Sequence, residues 1–335
     1  MKYLYVLTSD DSDFFLEEAL LSITSLRLQI PNAFISLLTD VTTETNLIGK
    51  RSEIHNLVDE LVIVKIDEPF NKKACSRWLK TSMRQHIKGD FLFIDSDTII
   101  TDDLSPITDM DINMGAVLDH HAYLSGYKKY IPDHFQWLQN LYTKLGFTAI
   151  SNSDTYYNSG VILCKDRDIV HKFFKEWHKL WFFCFERGVV TDQQSFNQAN
   201  YNLNNVIREL DGKWNCLIMA NGSINYLHTA KIIHYNKISL KKNPYLLSNQ
   251  DIHKNIKETG FINQELKDIL LYSKSLFFPN TQLKVMEETI VEMDDAALKF
   301  YKSASCAVAR RIYNSKIGFV FDSIFSFIRK KKNRS

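Results

Sequence analysis

The stretch GDFLFIDSDTIITDDL, residues 89–104, decides the fold class of this chain. Its apolar run FLFI, residues 91–94, is typical of a buried strand, and it ends abruptly in Asp95-Ser96-Asp97. In open α/β sheets, ligands bind outside the carboxyl ends of the strands. Carboxylate oxygens suit Mg²⁺ or Mn²⁺ bridging to phosphate oxygens, so the segment predicts a metal site at a strand end. The alternative is a solvated turn in which an aspartate caps the chain.

Short apolar runs alternate with longer amphipathic runs before this segment. Strands are predicted over residues 2–8, 33–39 and 61–66, and helices over residues 14–29, 43–57 and 76–88. Alternation of this kind indicates a mostly parallel central sheet covered by helices on both faces. The predicted fold class is therefore α/β.

The alternation continues, with looser spacing, after the acidic pair. Strands are predicted over residues 114–119, 155–164, 206–210, 215–219 and 231–235, and helices over residues 133–146 and 168–187. From about residue 250 onward the pattern is helical with polar breaks. We therefore expect one α/β domain followed by a helical appendage.

The composition is that of a globular protein, since 45% of the 335 residues are hydrophobic. The net charge of +2 is unevenly distributed, because residues 310–335 hold eight Lys or Arg against the single Asp322. The rest of the chain is slightly acidic, which argues against a core that binds nucleic acid. The five cysteines are scattered without C-x-x-C pairing, and this favours buried thiols over disulfides or a zinc site.

The N-terminal segment MKYLYVLTSDDSD has neither a basic leader nor a long apolar run. No stretch of the chain approaches the roughly 18–20 apolar residues that a membrane-spanning helix needs. We therefore expect a cytoplasmic protein that does not cross a bilayer.

Four further segments, taken with the acidic pair, make the chain resemble the retaining glycosyltransferases of family eight and related bacterial GT-A enzymes. They are SRWLKTSMRQHIKGD (76–90), YYNSGVILCK (156–165), TDQQSFN (191–197) and KIIHYNKISLKKNPY (231–245). The resemblance implies a GT-A catalytic domain over residues 1–250, with a Rossmann-like, mostly parallel sheet. The C-terminal region, residues 251–335, is then a helical appendage.

The resemblance also implies roles for individual residues. Asp95, Asp97 and His234 would hold Mn²⁺ or Mg²⁺, with Ser96 between the two carboxylates. Arg77 and Lys80 would contact the donor, and either Lys241 or Lys242 would contact its diphosphate, because the usual K-P-W is replaced here by Lys242, Asn243, Pro244 and Tyr245. Asp192, Gln193 and Asn158 would act on the sugar during catalysis.

Polar residues at the ends of the first two predicted strands add candidates for the nucleotide base and ribose, since ligands bind at strand ends. These candidates are Thr8, Asp10, Asp11, Thr39 and Asp40.

Each of these residue types also has a purely structural interpretation. Arg77 and Lys80, three residues apart, could form one solvated helix face. Asp192 could be the N-cap of a helix that begins at Gln193. Asn158 could bond only its own backbone, and a lone histidine such as His234 is often a core residue.

The function implied by the resemblance is metal-dependent transfer of a hexose from a nucleotide diphosphate sugar, UDP-glucose or UDP-galactose, with retention of configuration. The acceptor would be a saccharide or a lipid-linked oligosaccharide in surface glycan synthesis. Three alternatives remain open: a haloacid-dehalogenase-like phosphatase, a sugar nucleotidyltransferase and a non-catalytic peripheral membrane adaptor. The phosphatase would have the acidic pair after its first strand, and the nucleotidyltransferase a glycine-rich loop near the N-terminus, which TSDDSD lacks.

The C-terminal segment, residues 310–335, combines an apolar stripe with a basic end. Its apolar residues recur at three- and four-residue spacing: Ile317, Val320, Phe321, Ile324, Phe325 and Ile328. Such a pattern favours a helix lying on an anionic membrane surface, which would hold the enzyme on the inner face of the cell membrane. The alternative is a final helix docked on the catalytic domain.

Overall fold

The computed structural model describes residues 1–218, 223–235 and 250–274, together with residues 296, 299, 303, 304 and 307. The chain divides into two units, Met1–Asn280 and Thr281–Ser335. The helices and strands named below lie in the first unit. They include the helices Gln250–Thr259 and Gln264–Leu271, in the region predicted to be a helical appendage. The basic segment 310–335 and both Lys241 and Lys242 lie outside the described residues.

Strands and helices alternate along the described part of the first unit. In chain order they are β1 (Lys2–Leu7), α1 (Phe15–Gln29), β2 (Phe34–Asp40), α2 (Val41–Asn46), β3 (Glu60–Val64), α3 (Lys72–His86), β4 (Phe91–Ile94), β5 (Thr98–Ile100), β6 (Met114–Leu118), α4 (Leu124–Tyr130), α5 (Pro132–Leu145), α6 (Ala149–Asn152), β7 (Tyr157–Cys164), α7 (Asp168–Phe185), α8 (Gln193–Asn202), β8 (Ile207–Glu209), β9 (Cys216–Leu217), α9 (Ile224–Leu227), β10 (Ile232–His234), α10 (Gln250–Thr259) and α11 (Gln264–Leu271). Short 3₁₀ helices lie at Gly49–Asn56, Ser105–Ile107, Asp119–His121 and Gly212–Trp214.

Seven strands form the main sheet in the order β3-β2-β1-β4-β7-β6-β8. Every neighbouring pair runs parallel except those made by β7, which is antiparallel to β4 and to β6. The prediction of a mostly parallel sheet is confirmed. The chain moves outward from β1 to β3 and then returns to the other side of β1 with β4. This reversal creates a switch point between β1 and β4, where a crevice opens at the carboxyl ends of the strands.

A second, three-stranded sheet has the order β5-β10-β9. Strand β5, which follows the acidic pair, runs antiparallel to β10, with Thr98 opposite His234. Just beyond the ladder, the Tyr235 amide donates to the Asp97 carbonyl oxygen at 3.1 Å. The small sheet therefore brings a histidine from late in the chain to the end of β4.

Helices α3, α7 and α8 pack on the main sheet through a largely aromatic core. Phe91 and Phe93 of β4 meet Phe173 and Trp177 of α7 in one buried cluster. Burying a large apolar side chain contributes about 1.5–3 kcal/mol relative to leaving it exposed. Because β4 lies at the centre of this core, the residues that follow its last apolar position are held in place.

Helix α1 also packs against the small sheet, where two of its serines bond to β5. The Ile100 amide donates to Ser25 Oγ at 2.9 Å, and the hydroxyls of Ser22 and Thr98 lie 2.8 Å apart. Helices α10 and α11 pack on α1 as well. The two sheets are thus joined through a single buried helix.

The predicted helix over residues 43–57 is wrong in one respect, because the structure splits it. Asp40 caps α2 by accepting the Thr43 amide at 3.0 Å, but α2 ends at Asn46. Gly49 then adopts a positive φ of 57°, a conformation that interrupts a right-handed helix, and a 3₁₀ helix follows. The apolar spacing of the two pieces resembles that of one longer helix.

The predicted helix over residues 76–88 begins earlier in the structure, at Lys72. Its cap is Asn71, whose side-chain oxygen accepts the Ala74 amide at 3.0 Å. The first turn is basic and polar, so the apolar periodicity used to predict the helix starts one turn too late.

The described cysteines carry free thiols, as the scattered spacing predicts: Cys164, Cys184 and Cys216 are buried and Cys75 is half-buried. Burial raises the pKa of the Cys184 thiol to about 12. No helix within the described ranges has the length and apolar character needed to span a bilayer.

Candidate functional site

The acidic turn after β4 forms one wall of a cavity of about 480 Å³. The turn is held from both sides: the Asp95 amide donates to the Gly160 carbonyl oxygen, and the Thr98 hydroxyl donates to the Asp95 carbonyl oxygen, both at 2.8 Å. The Asp95 and Asp97 side chains are 24% and 23% exposed. The strand end therefore presents both carboxylates to the cavity, and they do not form a solvated turn.

His234 is the third residue at this wall. Its Nε2 lies 3.1 Å from Asp97 Oδ1, and one donor atom from each of Asp95, Asp97 and His234 can be chosen so that all lie within 4.8 Å of one another. The other ring nitrogen, Nδ1, lies 3.0 Å from the side-chain oxygen of Asn215, a fully buried residue. That contact assigns the hydrogen to Nδ1 and leaves Nε2 for a metal, as is usual for metal-binding histidines. Two carboxylates and one imidazole fit a divalent cation.

Burial and neighbouring charges shift the pKa values of Asp95, Asp97 and His234. Burial raises the pKa of Asp95, although the Lys80 ammonium opposes the effect. Burial acts in the same direction on Asp97, but the adjacent His234 outweighs it and holds the pKa of Asp97 at about 2. Burial lowers and Asp97 raises the pKa of His234, and the net effect is a raised pKa. His234 and Lys80 therefore both favour the charged forms of the two carboxylates.

Helix α3 places two basic side chains beside the acidic turn. Lys80 is 2% exposed, and its Nζ lies 3.1 Å from both carboxylate oxygens of Asp95 and 3.6 Å from Asp192 Oδ2. Arg77 Nε lies 2.9 Å from Asp192 Oδ1. The interpretation of these two residues as a solvated helix face is therefore wrong for Lys80, which is buried and links Asp95 to the buried Asp192.

Asp192 occupies the N-cap position of α8, yet its side chain makes no capping hydrogen bond. Instead, Asp192 Oδ2 accepts from the Ser159 hydroxyl at 2.8 Å and faces the basic pair from α3. Burial raises the pKa of Asp192, but Lys80 and Arg77 outweigh burial and the net pKa is lowered. Asp192 is thus an ionised carboxylate on the cavity wall, and the N-cap interpretation is wrong.

Asn158, near the start of β7, contacts Gln193 directly and is linked to His234 through Asn215. Its Oδ1 accepts from the Gly160 amide at 2.8 Å and from Asn215 Nδ2 at 2.9 Å. Its Nδ2 lies 3.1 Å from Asp119 Oδ1 and 3.3 Å from Gln193 Oε1. Both ends of the amide are held, so its donor and acceptor atoms have defined directions beside the cavity.

Gly160 permits the close approach of β7 and β10. A Cβ atom at this position would lie 2.8 Å from His234 Nδ1 and 2.9 Å from Asn158 Oδ1, closer than real Cβ contacts allow. The asparagine-glycine pair of this strand therefore has a steric reason, since a side chain would displace the third metal-ligand candidate.

The structure adds two residues that sequence reasoning missed, Asn215 and Asp119. Asn215 bonds to both His234 and Asn158, and Asp119 accepts from Asn158. Neither lies in a motif, and only the pairing of β10 with its neighbours brings Asn215 next to His234. A polar residue inside the apolar run NCLIM was the one available signal for Asn215.

Of the residues predicted to contact the nucleotide base and ribose, only Thr8 lines the cavity. Thr8 lines it, and its hydroxyl donates to the Lys72 carbonyl oxygen at 3.1 Å. Lys72 lines it too, with Nζ 2.7 Å from Asp10 Oδ1 and 2.7 Å from Asp13 Oδ2. That ammonium lowers the pKa of Asp10.

The other nucleotide-side candidates do not line the cavity. Asp11 is 80% exposed and lies 3.6 Å from Arg51 Nε. Thr39 is fully buried and donates to the Leu7 carbonyl oxygen at 2.8 Å, while Asp40 caps α2. Among the described residues, the site is therefore built around β1, α3, β4, β7, α8 and β10.

Residues 90–241, slightly less than half of the chain, match the family model described as Glycosyl transferase family 8. The matched segment includes Asp95, Asp97, Asp192 and His234. A search of curated proteins found no match to this chain.

Two solved structures share the fold. The chain matches the apo structure of the bifunctional glycosyltransferase WbbM at 18% identity and a TM-score of 0.51, covering 82% of this chain and 51% of that one. It matches an active-site mutant of LgtC at 14% identity and a TM-score of 0.50, covering 79% of this chain and 98% of that one. The chain thus spans about half of WbbM and nearly all of LgtC. The shared fold is the GT-A fold, with its mostly parallel central sheet.

Proposed function

We propose, from the match of residues 90–241 to the family 8 glycosyltransferase model, that the chain transfers a hexose from UDP-glucose or UDP-galactose in a reaction that depends on Mn²⁺ or Mg²⁺. The observation that supports this best is the convergence of Asp95, Asp97 and His234 on a cavity that also holds the Lys80–Asp192 pair. The acidic residues and His234 are suited to a cation and a diphosphate, and the neighbouring Asp192, Gln193 and Asn158 offer carboxylate and amide groups for a sugar.

The reaction breaks the bond between sugar C1 and the β-phosphate oxygen, so the leaving diphosphate gains negative charge. When bound by Asp95, Asp97 and His234, a divalent metal supplies the countercharge that the leaving group needs. Arg77 and Lys80 add fixed positive charge to the same cavity. Asn215 orients the His234 ring, so that Nε2 points toward Asp97 before the donor arrives.

The sugar side of the proposed site consists of Asp192, Gln193 and Asn158, all of which line the cavity. An ionised carboxylate and an oriented amide stabilise the oxocarbenium-like sugar that forms as the bond to the leaving group breaks. We propose retention of configuration, with the leaving phosphate oxygen taking the acceptor's proton. Asp192 is already paired with two cations, so it acts by position and charge and not as a base.

The remaining contacts belong to the nucleotide and the diphosphate. Thr8 is on the cavity wall and Ser96 lies between the two acids, which supports their proposed contact with the donor. Lys241 or Lys242 completes the diphosphate site in this proposal, and that part rests on the sequence pattern alone.

For the acceptor we propose a saccharide or a lipid-linked oligosaccharide of surface glycan synthesis. The support is the basic, amphipathic segment 310–335, which would hold the enzyme against the anionic inner face of the cell membrane.

Incubation of the full chain with a panel of nucleotide sugars and Mn²⁺ tests the reaction. We expect slow release of free UDP from one UDP-hexose and a dependence of UDP binding on Mn²⁺ in calorimetry. Release of inorganic phosphate alone would favour the phosphatase. Conversion of the nucleotide sugar into a nucleoside triphosphate and a sugar 1-phosphate, only when pyrophosphate is added, would favour the nucleotidyltransferase. No turnover of any donor, with retained UDP binding, would favour the adaptor.

Removal of residues 312–335 tests the membrane proposal separately. We expect a truncated enzyme that still hydrolyses the donor but no longer sediments with anionic liposomes. Sedimentation of the wild type should weaken as salt is added, because ions screen the attraction. Liposome binding that survives truncation, or a truncated chain that unfolds, would contradict the proposal.

A further inference from the structure

A second cluster of metal-ligating side chains lies beyond the end of β6. The strand ends at Leu118, and the one-turn 3₁₀ helix Asp119–His121 follows it. His134 reaches the same place from the first turn of α5. One donor atom from each of Asp119, His120 and His134 can be chosen so that all lie within 4.8 Å of one another.

The spacing of this cluster fits one ion. His120 Nε2 lies 3.8 Å from Asp119 Oδ2, and the ring centroids of His120 and His134 are 4.9 Å apart. Bonds of about 2.0–2.2 Å in a tetrahedral site place ligand atoms about 3.3 Å from one another. Small side-chain movements therefore convert the observed spacing into coordination distances.

Although the His120 side chain is 30% exposed, one nitrogen of each imidazole is buried without a hydrogen-bond partner among the described residues. His120 Nδ1 and His134 Nε2 are buried, and neither makes a hydrogen bond within the described part of the chain. Leaving a buried polar atom unsatisfied costs about 1–3 kcal/mol. An ion that takes the lone pair of His134 Nε2 would remove this cost from that ring.

The backbone at the cluster is strained in a way that fixes His120. His120 and His121 have positive φ angles of 53° and 51°, a conformation that costs a non-glycine residue about 1–3 kcal/mol. The strain persists because neighbours hold the turn: the Leu217 amide donates to His121 Nε2 at 3.0 Å. Strain of this kind is concentrated at functional sites.

The other two side chains are also oriented before any ligand binds. The Tyr127 hydroxyl contacts both the Asp119 carbonyl oxygen, at 2.7 Å, and Asp119 Oδ2, at 3.1 Å. The Trp137 ring stacks on His134 with centroids 5.4 Å apart and an interplanar angle of 26°.

We propose that Asp119, His120 and His134 bind a borderline divalent transition ion of the Zn²⁺ class, at a site separate from Asp95, Asp97 and His234. Two imidazole nitrogens and one carboxylate oxygen suit such an ion, whereas Mg²⁺ prefers oxygen ligands. The site has a route to the transfer reaction, because Asp119 Oδ1 accepts from Asn158 Nδ2. An ion on the other oxygen of that carboxylate holds Asp119, and through it the Asn158 amide, in one orientation.

Titration of the metal-free, full-length protein with Co²⁺ tests the assignment without any measurement of turnover. The Asp97→Asn background weakens the first site, so that Co²⁺ reports on the second. We expect one equivalent of Co²⁺ with the intense visible absorption of a four-coordinate ion. Stoichiometric Zn²⁺ should displace it and excess Mg²⁺ should not.

Two substitutions in that background separate ligation from folding. His134→Gln should weaken Co²⁺ binding by about 100-fold or more, since even an outer partner of a metal site contributes 10- to 100-fold. His134→Cys should retain the ion and add a sulfur-to-metal charge-transfer absorption. The matched control is His171→Gln, which changes an exposed histidine that also faces a carboxylate, Asp166.

The assignment is overturned if the Asp97→Asn protein binds no four-coordinate Co²⁺, or if His134→Gln and His171→Gln bind it equally. Those results would leave the transferase proposal intact, because UDP release and Mn²⁺-dependent UDP binding are measured independently. Conversely, Co²⁺ binding that follows the expected pattern in a protein that turns over no donor would support the site and contradict the transferase proposal.

Discussion

The two halves of the carboxyl edge of the main sheet use their polar side chains differently. At the end of β4 and the start of the antiparallel β7, Asp95, Asp97 and Asn158 face a cavity and retain atoms that can bind a ligand. At the end of β2, Thr39 is buried against the Leu7 carbonyl oxygen and Asp40 caps a helix. Both halves follow the same rule that polar residues collect at strand ends.

Asp40 and Asp97 differ in how far along the chain their hydrogen-bond or ion-pair partners lie. Asp40 finds a backbone amide three residues away. Asp97 finds its partner 137 residues later in the sequence, at His234, and only because β5 pairs with β10. The contrast predicts that changes on the β4 side alter turnover and changes on the β2 side alter stability.

The largest effect on turnover is expected from Asp97→Asn. The substitution keeps the size of the side chain and removes a charge that would hold the proposed metal, so we expect kcat/KM for the donor to fall about 100- to 1000-fold. The melting temperature should change little, because the charge supports binding and not core packing. The control is Asp67→Asn, at a side chain that is 75% exposed. Unchanged Mn²⁺ dependence of UDP binding in Asp97→Asn would contradict the metal assignment.

A smaller effect, confined to the chemical step, is expected from Gln193→Ala. Because Gln193 is proposed to act on the sugar in the transition state, kcat should fall about 10- to 100-fold with little change in UDP affinity. Steady-state kinetics and UDP calorimetry together make the measurement, with Gln136→Ala on an exposed face of α5 as the control. A higher KM at unchanged kcat would assign Gln193 to donor binding instead.

Two substitutions of Asn215 distinguish its contact with His234, a candidate metal ligand, from its contact with Asn158, a candidate sugar-binding residue. Asn215→Ala removes the contact that orients His234, and we expect Mn²⁺ affinity to fall about 10- to 100-fold. Asn215→Asp keeps an acceptor for His234 Nδ1 but loses the donor to Asn158 Oδ1. It should therefore restore Mn²⁺ affinity while kcat remains low. If both variants bind Mn²⁺ as tightly as the wild type, Asn215 has only a structural role.

On the β2 side, Asp40→Ala is expected to cost stability and leave activity nearly unchanged. Loss of an N-cap lowers the free energy of unfolding by about 1 kcal/mol, and Asp40→Asn should recover most of it because Asn also caps helices. Denaturant unfolding and UDP calorimetry on the same samples check both parts. Weaker UDP binding in Asp40→Ala at unchanged stability would restore the nucleotide role expected from the sequence.

The features that could be predicted from the sequence are those set by near neighbours. Apolar spacing and length predict the strand Phe91–Ile94, the order of strands and helices, and the acidic turn, because a buried strand and its solvated end are local patterns. The α/β class and the mostly parallel sheet follow from the same alternation. The split after Asn46 was missed because a single glycine conformation, at Gly49, interrupts an otherwise helical pattern.

Only the tertiary structure decided which polar groups meet. Asp192 could equally have capped α8, and it becomes a cavity carboxylate because α3 carries Arg77 and Lys80 to it. Asn215 and Asp119 join the site through strands that are distant in sequence, and no pattern of neighbours encodes that pairing. Burial, charge pairing and metal-ligand spacing depend on distances between separate elements, and those distances exist only once the sheet and its helices have packed.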